Sequence, residues 1–131
     1  MASFECSVVT PEGTYLECQA TSVVFPAFDG ERGVLPHHAP MVCRLGIGVL
    51  QVRAVDGNHR VYVDGGVAQM VNNRLSLLTE QARALETLEP DAAQRILDQA
   101  RALKVVDEAS YRRRQAALER GRVQQRLTSG R

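Results

Sequence analysis

The spacing of apolar residues changes period once, near residue 85, and this switch confines the chain to a β-rich body followed by helices. Before it, apolar residues come in short runs rich in β-branched and aromatic types: 4–9, Thr14 to Phe25, Met41 to Leu45, Gly48 to Val55, Arg60 to Val63, Val67 to Val71 and Leu75 to Thr79. Turn-forming residues separate them at Pro11-Glu12-Gly13, Pro26, Asp56-Gly57-Asn58, Gly65-Gly66 and Asn72-Asn73. Runs of this length and composition read as strands. Many of them with regular turns predict an antiparallel β-sandwich or flattened barrel, ten-strand-like, over residues 1–86.

After the switch the period is helical. Glu89-Pro90-Asp91 places proline at a first helical position with acids in the first turn, and Ala93, Ile96, Leu97, Ala100 and Leu103 follow at spacings of three and four. Val105-Val106 interrupts the pattern, and Asp107 is suited to cap a second helix. That helix carries a thin apolar stripe of Tyr111, Leu118, Val123 and Leu127 with several alanines. The two helices predict an antiparallel α-helical hairpin over 87–131. Its second helix reads as weakly anchored, because alanine dominates the buried face and Gly121 costs about 1 kcal/mol relative to alanine, with a static helix packed on the sheet as the plain alternative.

With 131 residues the chain can build one β domain and an extension, but not two full domains. Its formal charge of +1 conceals a split: residues 1–89 hold six arginines against ten acids, and residues 90–131 hold ten basic residues against five acids. A basic tail suits nucleic acid, an anionic membrane surface or an acidic protein, and charge alone does not choose among them. Cys6, Cys18 and Cys43 are odd in number and lack C-x-x-C spacing, so the expectation is free thiols in a reducing compartment, with no zinc site and no disulfide framework. No basic segment followed by an apolar run opens the chain, and no stretch offers the ~20 apolar residues of a membrane span. A soluble protein of the bacterial cytoplasm is expected.

Gly30-Glu31-Arg32-Gly33-Val34-Leu35-Pro36-His37-His38-Ala39-Pro40 reads as a rigid exposed loop. Gly30 and Gly33 tolerate positive φ, and Pro36 and Pro40 fix φ and push Leu35 and Ala39 towards extended backbone. His37 and His38 are adjacent, with no third ligand at metal spacing. There is also no nucleophile elbow, phosphate-cradling glycine loop or recognisable carboxylate pair. The chain therefore reads as non-catalytic, without metal or catalytic residues.

With Thr10-Pro11-Glu12-Gly13 upstream and Gly65-Gly66 downstream, this loop resembles the epsilon subunit of rotary F-type ATP synthases, the counterpart of the mitochondrial delta subunit. The resemblance covers roughly residues 4 to 85. It implies a rotor component of the central stalk at the cytoplasmic face of the bacterial inner membrane, coupling proton-driven c-ring rotation through gamma to ATP synthesis, with catalysis on other subunits. The family's G-E-x-G-x-x-P-x-H-A-P loop meets the c-ring, and Glu31, Pro36 and His38 match its pattern together with Gly30 and Gly33. The sandwich would bind gamma through a face that the sequence does not single out.

The resemblance also implies that the hairpin can extend along gamma, reach an acidic segment of beta within the alpha-beta assembly, and inhibit ATP hydrolysis. Arg112, Arg113, Arg114, Arg120, Arg122 and Arg126 would make those contacts, since the guanidinium fork binds carboxylates bidentately. A plain solvated helix face is the alternative for the arginines. Leu97-Asp98-Gln99-Ala100-Arg101-Ala102 matches the family's I/L-Asp-x-x-Arg-Ala motif for regulatory ATP, but nine residues beyond the family position at 88–93. Nine helical residues turn a site by about 180° and move it ~13 Å. Asp98 and Arg101 are thus candidate nucleotide residues whose plain reading is an i,i+3 surface ion pair, and no cofactor is required. The rival from another class is a free-standing β-sandwich adaptor whose basic helix binds nucleic acid or an anionic membrane. Tyr111 is nearly the only aromatic residue among those arginines, which argues against base stacking.

Overall fold

Seven strands, rather than ten, build the first part of the protein, because several of the sequence runs are segments of longer strands. They are β1 (Phe4–Thr10), β2 (Gly13–Ala27), β3 (Gly30–Val34), β4 (Met41–Ala54), β5 (Gly57–Val71), β6 (Arg74–Leu78) and β7 (Ala82–Ala84). β4 runs unbroken through Gly46 and Gly48, and β5 carries Gly65-Gly66 in its interior instead of ending there. The computed structural model describes residues 2–130, which divide into one unit ending at Leu85 and a second beginning at Glu86.

The strand order is β1-β6-β5-β4-β2-β3, and an additional β1–β2 pairing closes the first five into a ring, with β7 beside β5. All pairs are antiparallel except β1–β6, which is parallel. The long strands are shared between the two layers. β2 pairs with β1 up to Ala20 and with β4 beyond it. β5 pairs with β7 at Val61 to Val63 and with β6 at Val67 to Val71. A ring whose strands bend from one layer into the other is a flattened barrel.

Strict alternation sets which side chains face inward, since neighbouring residues of a strand point to opposite faces. Phe4, Cys6 and Val8 of β1, Cys43 and Leu45 of β4, Ala68 and Met70 of β5, and Leu75 and Leu77 of β6 all join one buried core. The bend in β5 depends on Gly66, whose φ is +113°. A side chain there would place Cβ 1.8 Å from the Leu78 carbonyl oxygen, so β5 and β6 can pair across this bend only with glycine.

The second unit contains α1 (Pro90–Ala102) and α2 (Glu108–Thr128). Leu97, Ala100 and Leu118 pack together with Ala117, so the hairpin has a small apolar core of its own. Gly121 has a different role from the weak point the sequence suggests. A Cβ there would lie 2.8 Å from Cγ and Cδ2 of buried Leu97, so the missing side chain permits the close approach of the helices. The expected apolar stripes are also shorter. Leu103 follows the end of α1 and is exposed, and Tyr111 is 51% exposed, whereas Leu118 and Val123 are buried.

Asp107 starts α2 through a capping box: its carboxylate accepts from the Ser110 backbone N–H at 2.7 Å, and the Asp107 N–H donates to Ser110 Oγ at 3.0 Å. The backbone hydrogen bond from Ser110, followed by the side-chain one, holds the carboxyl below its ordinary value of 3.8. A depressed folded-state value means that the cap's contribution is complete above the unfolded value and is lost as pH falls through the folded one. Far-UV circular dichroism between about pH 5 and about pH 2 should therefore show helix loss with a component that Asp107→Asn removes. An identical acid profile in that variant would contradict the assignment.

Candidate functional site

Gly30 to Pro40 is not one loop. Residues 30–34 form β3 against β2, with Glu31 opposite Pro26, and only the next six residues leave the sheet. Gly30 has φ +134°, whereas Gly33 does not use positive φ and the non-glycine His37 does, at +64°. Composition alone suggested a turn throughout, but pairing with β2 outweighs the weak strand propensity of Gly-Glu-Arg-Gly.

The remaining turn is pinned from outside. The His37 backbone N–H donates to Asn73 Oδ1 at 2.7 Å, and Asn73 Nδ2 donates to the Ser3 carbonyl at 2.9 Å. His38 N–H donates to the Leu35 carbonyl at 3.1 Å, and His38 Nδ1 donates to the Ala39 carbonyl at 2.7 Å. Asn73 itself takes φ +58° and accepts from Glu5 N–H at 3.2 Å. One asparagine thus joins the turn, the β5–β6 corner and the start of β1. Pro36 is half-buried, and His38 and Leu35 are exposed. Glu31 is exposed on β3, and Pro36 and His38 lie in the turn that follows it, so the three candidates share one chain segment.

The outer face of the sandwich holds residues that reading by sequence missed. Arg44, Val67, Leu78 and Val9 lie directly opposite one another across β4, β5, β6 and β1. Phe28 extends the row, because its N–H donates to the Arg44 carbonyl at 3.0 Å and the Arg44 guanidinium lies 5.4 Å from its ring centroid. Val42 is on the same face, two residues before Arg44. Phe28, Val42, Val67 and Leu78 are 61%, 73%, 41% and 54% exposed. An open depression of about 360 Å³ between Val9, Pro11, Val67 and Leu78 continues this surface. An exposed patch of large apolar side chains around Arg44 marks a contact surface. In the sequence these residues look like any other strand residues, since only the register tells which side of the sheet is covered.

The arginines of α2 do not form one patch. At ~100° per residue they are distributed around the helix. Arg112 pairs with Glu108 at 2.5 Å; Arg113, Arg122 and Arg126 are exposed, and Arg114 and Arg120 are half-buried. Asp98 accepts from Gln94 Nε2 at 3.0 Å and faces Arg101 at 3.8 Å, both side chains being solvent-exposed, so the i,i+3 ion pair is present. Exposed pairs of this kind contribute tenths of a kcal/mol. Among the described residues no group of three His, Cys, Asp or Glu side chains could hold a metal ion, and no helix is long and apolar enough to cross a membrane.

Comparison with known proteins agrees with this architecture. The family model of the ATP synthase delta/epsilon chain β-sandwich domain matches residues 3–84. An ATP synthase epsilon chain of Rhodopirellula baltica is 40% identical over 126 residues, 96% of this chain and 98% of that one. One from Nitratidesulfovibrio vulgaris is 35% identical over 127 residues, 95% of each chain. Among solved structures, a chain of the Euglena gracilis mitochondrial ATP synthase OSCP/F1/c-ring assembly matches with a TM-score of 0.78 and 25% identity, over 93% of this chain and 79% of that one. A chain of the Tetrahymena thermophila mitochondrial ATP synthase central stalk and c-ring shares the fold, with a TM-score of 0.76 at 13% identity, over 95% and 96%. None of these relatives supports a free-standing adaptor.

Proposed function

The chain belongs to the epsilon family of ATP synthase central-stalk subunits, which are non-catalytic, and from that premise we propose a division of labour between its two units. The sandwich, residues 1–86, is the docking unit: its outer apolar face meets gamma, and the segment of Glu31, Pro36 and His38 meets the c-ring. The hairpin, residues 87–131, is the regulatory unit, and Arg112, Arg113, Arg114, Arg120, Arg122 and Arg126 meet acidic groups of beta within the alpha-beta assembly to inhibit ATP hydrolysis. Rotation of a proton-driven c-ring thereby turns gamma together with this subunit and drives ATP synthesis at beta, on the cytoplasmic side of a bacterial inner membrane.

The single observation that carries the docking assignment is the exposed row of Phe28, Val42, Val67 and Leu78. Apolar area supplies an affinity that salt does not screen, whereas phosphate or lipid-headgroup binding by arginines weakens steeply with salt. The turn suits torque transfer for a separate reason. His37 and Asn73 hold its backbone before any partner arrives, so little conformational entropy is lost on docking. No cofactor is proposed, because Asp98 and Arg101 lie nine residues beyond the family's nucleotide position and form an exposed i,i+3 pair. Saturable ATP binding that Asp98→Ala abolishes would overturn that part.

The test is gel filtration of the chain with its cognate gamma subunit from about 0.1 M to about 1 M salt. Co-elution that persists at high salt is the expected result. Dissociation over that range, or failure to associate at low salt, would refute apolar docking on gamma.

A further inference from the structure

Cys6 and Cys18 are well separated in sequence, yet the β1–β2 register places them directly opposite one another. Opposed residues of an antiparallel pair have Cα atoms ~4.5 or ~5.5 Å apart. Both separations fit the ~4.4–6.8 Å range of protein disulfides. The side chains also point to the same face. Cys6 is fully buried in the sandwich core, and Cys18 is half-buried against that core. Each thiol lies close enough to the other to influence its protonation.

The two sulfurs differ in a useful way. Desolvation, then the neighbouring Cys18, pushes the Cys6 thiol up to about 12, so it remains protonated. Burial and then the charge of Asp56 also raise Cys18, but the hydrogen bond from Cys6 favours its thiolate. Solvent reaches Cys18, so an oxidant meets this sulfur first. Cys43 is buried on β4 opposite Ala68, and its thiol is directed to the Arg44 carbonyl at 3.5 Å.

We propose that Cys6 and Cys18 form a redox-convertible dithiol, which a low-molecular-weight disulfide oxidises to a cross-strand disulfide that fastens β1 to β2. The Cys18 thiolate attacks one sulfur of the small disulfide, forming a mixed disulfide and expelling one small thiolate. Cys6 then gives up its proton and its thiolate attacks the Cys18 sulfur, forming the protein disulfide as the Cys18 bond to the small thiol breaks. The second small thiol leaves with the Cys6 proton, and the first takes up the proton lost from Cys18. The two cysteine thiols are oxidised, and one small disulfide is reduced to two thiols.

The full chain, incubated with oxidised glutathione under native conditions, then alkylated and mapped by peptide mass spectrometry, tests this. The expected product has lost two hydrogens, contains a peptide joining Cys6 to Cys18, and retains a free Cys43. Its thermal midpoint should rise on the order of 10 °C and return when dithiothreitol is added. Cys18→Ser should abolish the cross-link, and Cys6→Ala should trap a glutathione adduct at Cys18. Three free thiols after incubation, a lasting adduct at Cys18 in the unmodified chain, or a cross-link through Cys43 would each overturn the proposal.

Discussion

Gly66→Ala should destabilise the sandwich by about 3–5 kcal/mol, or prevent it from folding. Two independent effects combine at this position. The backbone has φ +113°, which L side chains rarely adopt, and the added Cβ would lie 1.8 Å from the Leu78 oxygen, 2.8 Å from its carbonyl carbon and 2.9 Å from Thr79 Cα. All three are backbone atoms, so no rotamer change relieves the overlap. β6 would have to move away from β5 just where Val67 pairs with Leu78, which disrupts the outer face as well as the core. Gly65→Ala is the matched control, because φ +69° is also positive there but nothing lies within 4 Å of the added carbon. That variant should cost about 1 kcal/mol. Urea denaturation of the three proteins separates the cases, and equal midpoints for the two variants would show that the close approach of β5 to β6 does not limit stability.

Ending the chain at Glu89 should have a second large effect, on activity and not on folding. The core of the sandwich is made of residues up to Leu77, and the hairpin has its own core around Leu97, Ala100 and Leu118. Removing residues 90–131 thus leaves every strand in place. The truncated chain should dock as before, while ATP hydrolysis by the complex rises on the order of tenfold, equivalent to ~1.4 kcal/mol of inhibitory contact.

Much of this division was legible in the sequence because its signals are local. Pro90 and Asp107 mark both helix starts, since proline at a first turn and an aspartate cap act within a few residues. The change from short runs to helical spacing near residue 85 is likewise a local signal, carried by the different periods of strands and helices. Features that depend on distant partners were not legible. Gly65-Gly66 reads as a turn until β6 is known to pass beside it, and Gly30 to Val34 reads as a loop until β2 pairs with it. Gly121 reads as a helix defect until Leu97 is found against it. The apolar outer face stayed hidden for the same reason: nothing in Val67 or Leu78 tells which side of a strand is uncovered. Cys6 and Cys18 looked unrelated because their spacing matches no motif, whereas the strand register makes them neighbours.

The most direct test measures ATP hydrolysis by the cognate alpha-beta-gamma particle alone, with the full chain, and with the chain ending at Glu89, and checks association by gel filtration. Both forms should bind, and only the full chain should inhibit. If both bind and neither inhibits, the hairpin has no regulatory role; if neither binds, the docking role of the sandwich is contradicted.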